Sequence, residues 1–169
     1  MSINFKIHQK IPDQEVPLLY HWGTDIFGGS IYNLHWRPPE VHVIGYIDSK
    51  PVTHVGILKH QIVVGSNKIW VGGIGGVVTI PQVQKNGFAK QCLLRAQEYM
   101  VSDLSVEFGF LFCPDRMQKY YAGLGWHNID EKVIIDQPTG KITAPLCSMV
   151  YVFSKPWPKG SVELGSLPW

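Results

Sequence analysis

Three groups of residues in this chain could do chemistry. The first is Gln84-Lys85-Asn86-Gly87-Phe88-Ala89-Lys90, a polar loop that runs into a segment with apolar residues at helical spacing. A helix N-terminus offers unsatisfied N–H groups and a partial positive charge, so the backbone of Gln84–Ala89 suits a pyrophosphate, with Lys85 and Lys90 adding charge. Taken alone, Gln-x-x-Gly-x-Ala also reads as an ordinary strand-to-helix loop. The second group is Tyr120-Tyr121, followed by Ala122-Gly123-Leu124-Gly125-Trp126. One phenol of the pair could donate a proton while the other packs in the core, and spacing does not say which. The third is the set of thiols and imidazoles. Cys92, Cys113 and Cys147 are odd in number and sit in apolar patterns, as buried reduced thiols do in a cytoplasmic protein. The seven histidines include no pair at i, i+4, so no metal site is expected.

These residues need elements to position them. Trp70–Ile80 is a nearly continuous run of Val, Ile and Gly, the pattern of a strand covered on both faces, and its glycines mark close backbone approach. Pro81 ends it by removing a donor. From Phe88 the stripe Phe88, Cys92, Leu93, Ala96, Tyr99 and Met100 makes an amphipathic helix, opposite Gln91, Arg95 and Glu98. Two other phosphate-binding patterns fail. Gly73-x-Gly75 has Val78 at the third glycine position and lies before a proline, and no Gly-Lys-Ser/Thr follows either glycine cluster.

The remaining chain supplies a first strand at Ile3–His8 and a helix from Pro12-Asp13 to Trp22, with Asp13 able to cap it. Thr24–Pro39 is irregular and aromatic, the kind of stretch that lines a pocket. Val41–Ile47 and Val52–Val64 are strands of an antiparallel meander that turns at Gly65–Lys68 into the central strand. Ser105–Cys113 is a buried strand and Arg116–Ala122 a helix. Trp126–Ile135 and Ser148–Phe153 read as two final strands around the turn-rich Asp136–Pro145. The tail Ser154–Trp169 is free to fray, but its terminal tryptophan favours docking.

With 169 residues, 45% hydrophobic, the chain is one globular domain that needs no disulfide staples. A formal charge of +2 without a Lys/Arg cluster argues against a nucleic-acid partner or a membrane surface. No run is long enough to span a membrane, and the N-terminus lacks a secretory core, so a cytoplasmic location is expected.

The loop with Gln84, Gly87 and Ala89 resembles the acetyl-CoA loop of the GCN5-related N-acetyltransferase (GNAT) superfamily. Tyr120-Tyr121 with Gly125-Trp126 about thirty residues downstream resembles a second signature of that superfamily. From Phe27 onward the chain is most similar to the aminoglycoside 2′-N-acetyltransferases, through Trp36, Gly76-Val77-Val78-Thr79 and a Pro/Trp/Gly tail ending in tryptophan. The resemblance implies an α+β fold: a central mixed, mostly antiparallel sheet flanked by helices, with acetyl-CoA in the splay between the two central strands.

It also implies site roles. The backbone of Val77 would bind the acetyl carbonyl, Val78 and Thr79 would pair with the pantetheine arm, and Gln84 to Lys90 would cradle the pyrophosphate. Tyr121 would be the acid that protonates the departing thiolate, and Cys113 a wall of the pocket. Ser30, His35, Trp36 and Trp169 would meet the acceptor. Ser30, His35 and Leu167 stand where those enzymes place aspartates, which argues against polycationic acceptors. The expected acceptor is an aminoglycoside-type small amine with few amines and an acidic group, of which kasugamycin is an example. Gly75 replaces a glutamate that acts there as base. The C-terminal carboxylate of Trp169, His35 and His54 are the remaining candidates, and for His54 a satisfied strand histidine competes. Other readings are a different small amine, a protein N-terminus, or an acetyl-CoA-binding module without turnover. Dimers are common in the superfamily, so a homodimer is the assembly the resemblance suggests.

Overall fold

A computed structural model of the chain describes residues 2–169. Its centre is an antiparallel meander of β1 (Asn4–His8), β2 (Val41–Ile47), β3 (Lys50–Val64) and β4 (Asn67–Thr79), each paired with the next. Helix α2 (Phe88–Ser102) then crosses to β5 (Phe108–Cys113), which runs parallel to β4. Outside β5 lie β9 (Cys147–Val152) and the two-residue β6 (His127–Asn128). On the other side, β10 (Val162–Glu163) joins the end of β3 to β7 (Val133–Gln137), which forms a hairpin with β8 (Gly140–Thr143). Two short helices, α1 (Val16–Tyr20) and α3 (Asp115–Ala122), complete the fold.

The sheet is covered on both faces, as the unbroken apolar run of β4 requires. The stripe Phe88, Cys92, Leu93, Ala96 and Met100 of α2 is buried, and all but Phe88 pack with Val43, Val55, Ile57 and Ile74. The opposite face gathers Ile62, Val71 and Phe110 with Leu164 and Trp169 of the tail. The glycines of β4 explain how both layers come so near. A Cβ on Gly72 would lie 2.7 Å from Met100 Cγ, and one on Gly73 2.4 Å from Trp169 Cε2.

Some boundaries differ from those read in the sequence. The helix expected from Asp13 to Trp22 shrinks to α1, because Pro17 is tolerated only in a first helical turn. Asp13 does not cap it and pairs with Lys10 at 2.8 Å. The single strand expected over Trp126–Ile135 splits into β6 and β7 around the exposed, charged Asp130-Glu131-Lys132. Part of the turn-rich Asp136–Pro145 forms β8. The tail is docked: β10 enters the sheet, the Arg37 N–H donates to the Pro168 carbonyl at 2.7 Å, and the Trp169 indole N–H donates to the Phe110 carbonyl at 3.2 Å. Among the described residues no helix is long and apolar enough to cross a membrane.

Candidate active site

Strands β4 and β5 pair only from Val71↔Phe108 to Ile74↔Leu111 and then part. Beyond Ile74, β4 has no strand on its β5 side, so backbone groups there are free to bind something else. On its other side β4 bulges. His54 pairs with Val78 and Gly56 with Gly75, so Gly76 and Val77 together oppose Val55. Gly76 takes φ +59°, the left-handed conformation open to glycine.

A cleft of about 790 Å³ opens at the splay, bounded by Gly75, Gly76 and Val77 of β4, Cys113 of β5 and Tyr121 of α3. Its other wall comes from the irregular stretch before β2, including Phe27, Ser30 and Trp36.

The loop after β4 is held by its own side chains. Gln84 Nε2 donates to the Thr79 carbonyl at 2.9 Å, and Asn86 Nδ2 donates to the carbonyls of Val83 (3.0 Å) and Gln84 (3.1 Å). These amides brace the loop, so the backbone is what remains for a ligand. Gly87 at φ +78° precedes α2, with no side-chain cap and no acidic residue in the first turn. The first-turn N–H groups are thus uncapped, and Lys85 and Lys90 form no ion pair among the described residues. Uncapped donors, a braced loop and an unpaired strand edge fit a long ligand with phosphates at one end. The side chain of Thr79 is turned to β3, its hydroxyl 2.8 Å from that of Thr53.

The two tyrosines separate clearly. Tyr121 is 6% exposed and lines the cleft, whereas Tyr120 is 38% exposed and does not. Burial, then Cys113 and Tyr120, pushes the Tyr121 phenol above its ordinary range, so it holds its proton at neutral pH. Cys113 also lines the cleft, but burial pushes its thiol up to about 12, which leaves it a wall. Cys92 is buried like Cys113, whereas Cys147 is only partly so and donates to Asp115 at 3.1 Å.

Of the residues expected to meet the acceptor, Ser30, Trp36 and Trp169 line the cleft. His35 does not; it is exposed, and its backbone N–H bonds the Gln137 side chain at 2.8 Å. Trp169 crowds Gly75: a Cβ there would lie 3.0 Å from the Trp169 main-chain carbonyl carbon, so a side chain at this position would press against the docked tail.

Sequence reasoning missed three cleft residues. Asp25 is the one acidic side chain in the lining among the described residues. It accepts the Ser30 hydroxyl at 2.5 Å and the Gly29 N–H at 2.9 Å, and the Ser30 bond is the main cause holding its carboxyl below the usual range. Arg116 donates to the Phe27 carbonyl at 3.3 Å, and Arg37 pairs with Glu40 at 2.6 Å. An Asp followed by Gly28-Gly29-Ser30 is a local turn signal that could have flagged Asp25; no local signal marks the arginines.

His54 is 1% exposed and lies outside the cleft lining. Its Nδ1 is 2.6 Å from the Gly76 carbonyl, which can only accept, so Nδ1 carries the proton. The Tyr20 hydroxyl oxygen, 2.5 Å away, is a second acceptor of that N–H. Nε2 then accepts from His42 Nδ1 at 2.9 Å. With both nitrogens engaged, His54 cannot take a proton from an acceptor in the cleft. Burial pulls its pKa down to about 4, against a donating bond to Gly76 that works the other way, and burial also lowers that of His42. A lowered folded-state pKa means the unfolded chain binds more protons in between. Stability is therefore complete above about pH 6.5 and is expected to fall by roughly 2–3 kcal/mol as pH drops to 4. Urea melts at pH 7 and pH 4.5 check this; equal midpoints would contradict it.

The curled mixed sheet splayed between β4 and β5 is the GNAT fold. It matches the GNAT family N-acetyltransferase YhbS from Escherichia coli in complex with CoA, with a TM-score of 0.62 at 12% identity over 97% of this chain and 91% of that one. It matches a GNAT family acetyltransferase from Brucella melitensis in complex with acetyl-CoA at 0.55 and 14%, over 94% of each chain. An acyl-CoA N-acyltransferase from Pseudomonas aeruginosa gives 0.59 and 13%, over 89% of this chain and 100% of that one. Within that class, the chain belongs to the nodulation protein A (NodA) family, whose model matches residues 25–162.

Proposed function

We propose that this protein is an acetyl-CoA-dependent N-acetyltransferase that transfers acetyl directly to an amine of an aminoglycoside-type amino sugar. The preferred acceptor is a 2′-amine compound with few amines and an acidic group, as in kasugamycin. The observation that carries the reading is the single cleft at the splay. It joins the free edge of β4 and the Tyr121 phenol to a basin walled by aromatic side chains. Solved neighbours that hold CoA or acetyl-CoA share this fold and support the donor.

Bound acetyl-CoA would supply the thioester carbon that the amine attacks. The chain's residues do the rest. The loop from Gln84 to Lys90 holds the phosphates through backbone N–H groups and two lysines, and Val78 and Thr79 offer the open strand edge to the amide arm. The Val77 N–H meets the negative charge that develops on the carbonyl oxygen, a preorganised donor whose loss costs about a hundredfold or more in rate. Tyr121 keeps a proton at Oη for the leaving sulfur, and the proton that the attacking amine gives up passes to water in the open cleft, from which the phenol is restored. Because no covalent enzyme step is needed, holding donor and amine together supplies much of the acceleration.

The acceptor preference follows from charge. Among the described residues, Arg37 and Arg116 line the basin against one acidic side chain, Asp25, which already accepts several hydrogen bonds. An acceptor with many ammonium groups meets too few carboxylates there, while a carboxylate on the acceptor finds Arg116 in no ion pair among the described residues.

The test is thiol release from acetyl-CoA against kasugamycin, 2′-amino aminoglycosides, 2′-hydroxy controls and small peptides. Turnover confined to 2′-amino compounds, with kasugamycin preferred and mass spectrometry placing the acetyl at the 2′ nitrogen, is the expected result. Turnover of peptides alone would overturn the acceptor class, and acetyl-CoA binding with no turnover of any amine would leave a binding module.

A further inference from the structure

The residues beneath the β4 bulge bear on the Val77 N–H, and the role assigned to them below rests on its reading as the oxyanion donor. A peptide group is planar, with its C=O and N–H pointing to opposite sides. The bond that holds the Gly76 carbonyl therefore also sets the direction of the Val77 N–H, the donor of the same peptide. This peptide needs such a hold. Neither Gly76 nor Val77 has a register partner on β3, and Gly76 sits at φ +59° with no side chain to limit its rotation. The hold is provided by His54 Nδ1, 2.6 Å from the Gly76 carbonyl oxygen.

His42 makes this one-directional. By donating to His54 Nε2 at 2.9 Å, it leaves the ring proton on Nδ1, where it can only face acceptors, the Gly76 carbonyl and the Tyr20 oxygen. None of the three side chains lines the cleft. Burying an imidazole requires both ring nitrogens to be bonded, and here the one N–H that His54 can donate goes to the Gly76 carbonyl and the Tyr20 oxygen rather than elsewhere in the core.

We propose that His54 is the positioning residue of the oxyanion site: its Nδ1–H, kept on that nitrogen by His42, clamps the Gly76 carbonyl and so aims the Val77 N–H into the cleft. The acceptor amine and the acetyl group never touch it.

The experiment compares wild type with His54→Leu, which removes the donor, and His54→Asn, whose side-chain amide can place an N–H near the position of Nδ1. Three quantities are read: turnover and KM for acetyl-CoA, the infrared stretch of the 13C-labelled thioester carbonyl of bound acetyl-CoA, and the Gly76 13C carbonyl and Val77 15N resonances of the protein without ligand. In His54→Leu, turnover is expected to drop roughly 10- to 100-fold with KM within about twofold. The thioester stretch should move back toward its value in free acetyl-CoA, and both resonances should shift. His54→Asn should recover most of each.

A folded His54→Leu with unchanged turnover, stretch and resonances would overturn the clamp, as would a His54→Asn no better than Leu. If His54→Leu does not fold, His42→Leu takes its place and is expected to show the same three changes at smaller size; none of them appearing would equally overturn the proposal. The ligand-free resonances keep the two readings apart. If they shift while wild type binds no acetyl-CoA, the clamp stands and the proposed function falls.

Discussion

Tyr121→Phe is expected to lower turnover by about a hundredfold or more while acetyl-CoA affinity stays within about twofold, the range typical for removing one positioned proton donor. The substitution removes a single oxygen from a ring that is 6% exposed and packed in the core beside Trp126, with ring centroids 6.3 Å apart. Tyr121 lines the cleft, and its hydroxyl is not among the buried polar atoms left without a partner, so the ring can lose its oxygen without adding to them. Folding should be little affected, and the deficit should lie in kcat, because the proton is needed only when the thiolate leaves. Tyr120→Phe is the control: its ring is 38% exposed and outside the cleft, and near wild-type turnover is expected. Steady-state kinetics of both variants decide the matter. Unchanged turnover in Tyr121→Phe would remove it as the acid.

Trp169→Ala should have the largest effect on stability, about 3–5 kcal/mol, the usual cost of truncating a buried tryptophan. The indole lies over Gly73, sits edge-on to Phe110 at 5.9 Å, Phe112 at 5.8 Å and His60 at 5.8 Å, and bonds the Phe110 carbonyl. Its removal opens a hollow against a glycine that has no side chain to fill it. It also frees a wall of the cleft, so acceptor KM should rise in parallel. Urea unfolding at pH 7 reads the first effect as a lower midpoint with an unchanged slope, and acceptor titration reads the second. A midpoint within about 0.5 kcal/mol of wild type would mean the tail adds little to the fold.

Local rules carried the reading of this chain a long way, and their reach has a physical limit. Strand β2, the start of α2 at Phe88 and the turn into β4 were legible because periodicity and turn chemistry act over a few residues. The phosphate loop was legible for the same reason: backbone N–H groups at a helix start bind anions through a short sequence. Those motifs reached the GNAT fold, while the NodA family came from matching 138 residues at once rather than from any one motif.

What depended on distant residues stayed out of reach. The two residues of β10 carry no periodic signal, yet they fill the gap between β3 and β7, because strand pairing is satisfied across any separation in sequence. The choice between Tyr120 and Tyr121 needed the position of β5 and α3 around the cleft, since neighbouring residues on a helix differ only in the direction they face. Asp25 and Arg37 of the stretch before β2 meet Arg116 of α3 in one basin, though some eighty residues separate the two parts of the chain. The crowding at Gly75 became visible only with Trp169 lying against it, 94 positions away in sequence. His54 shows the same division within one residue. Its type and strand were plain from the sequence, but its tautomer, its two partners and its hold on the Gly76 peptide exist only once β2, β3, β4 and α1 are packed together.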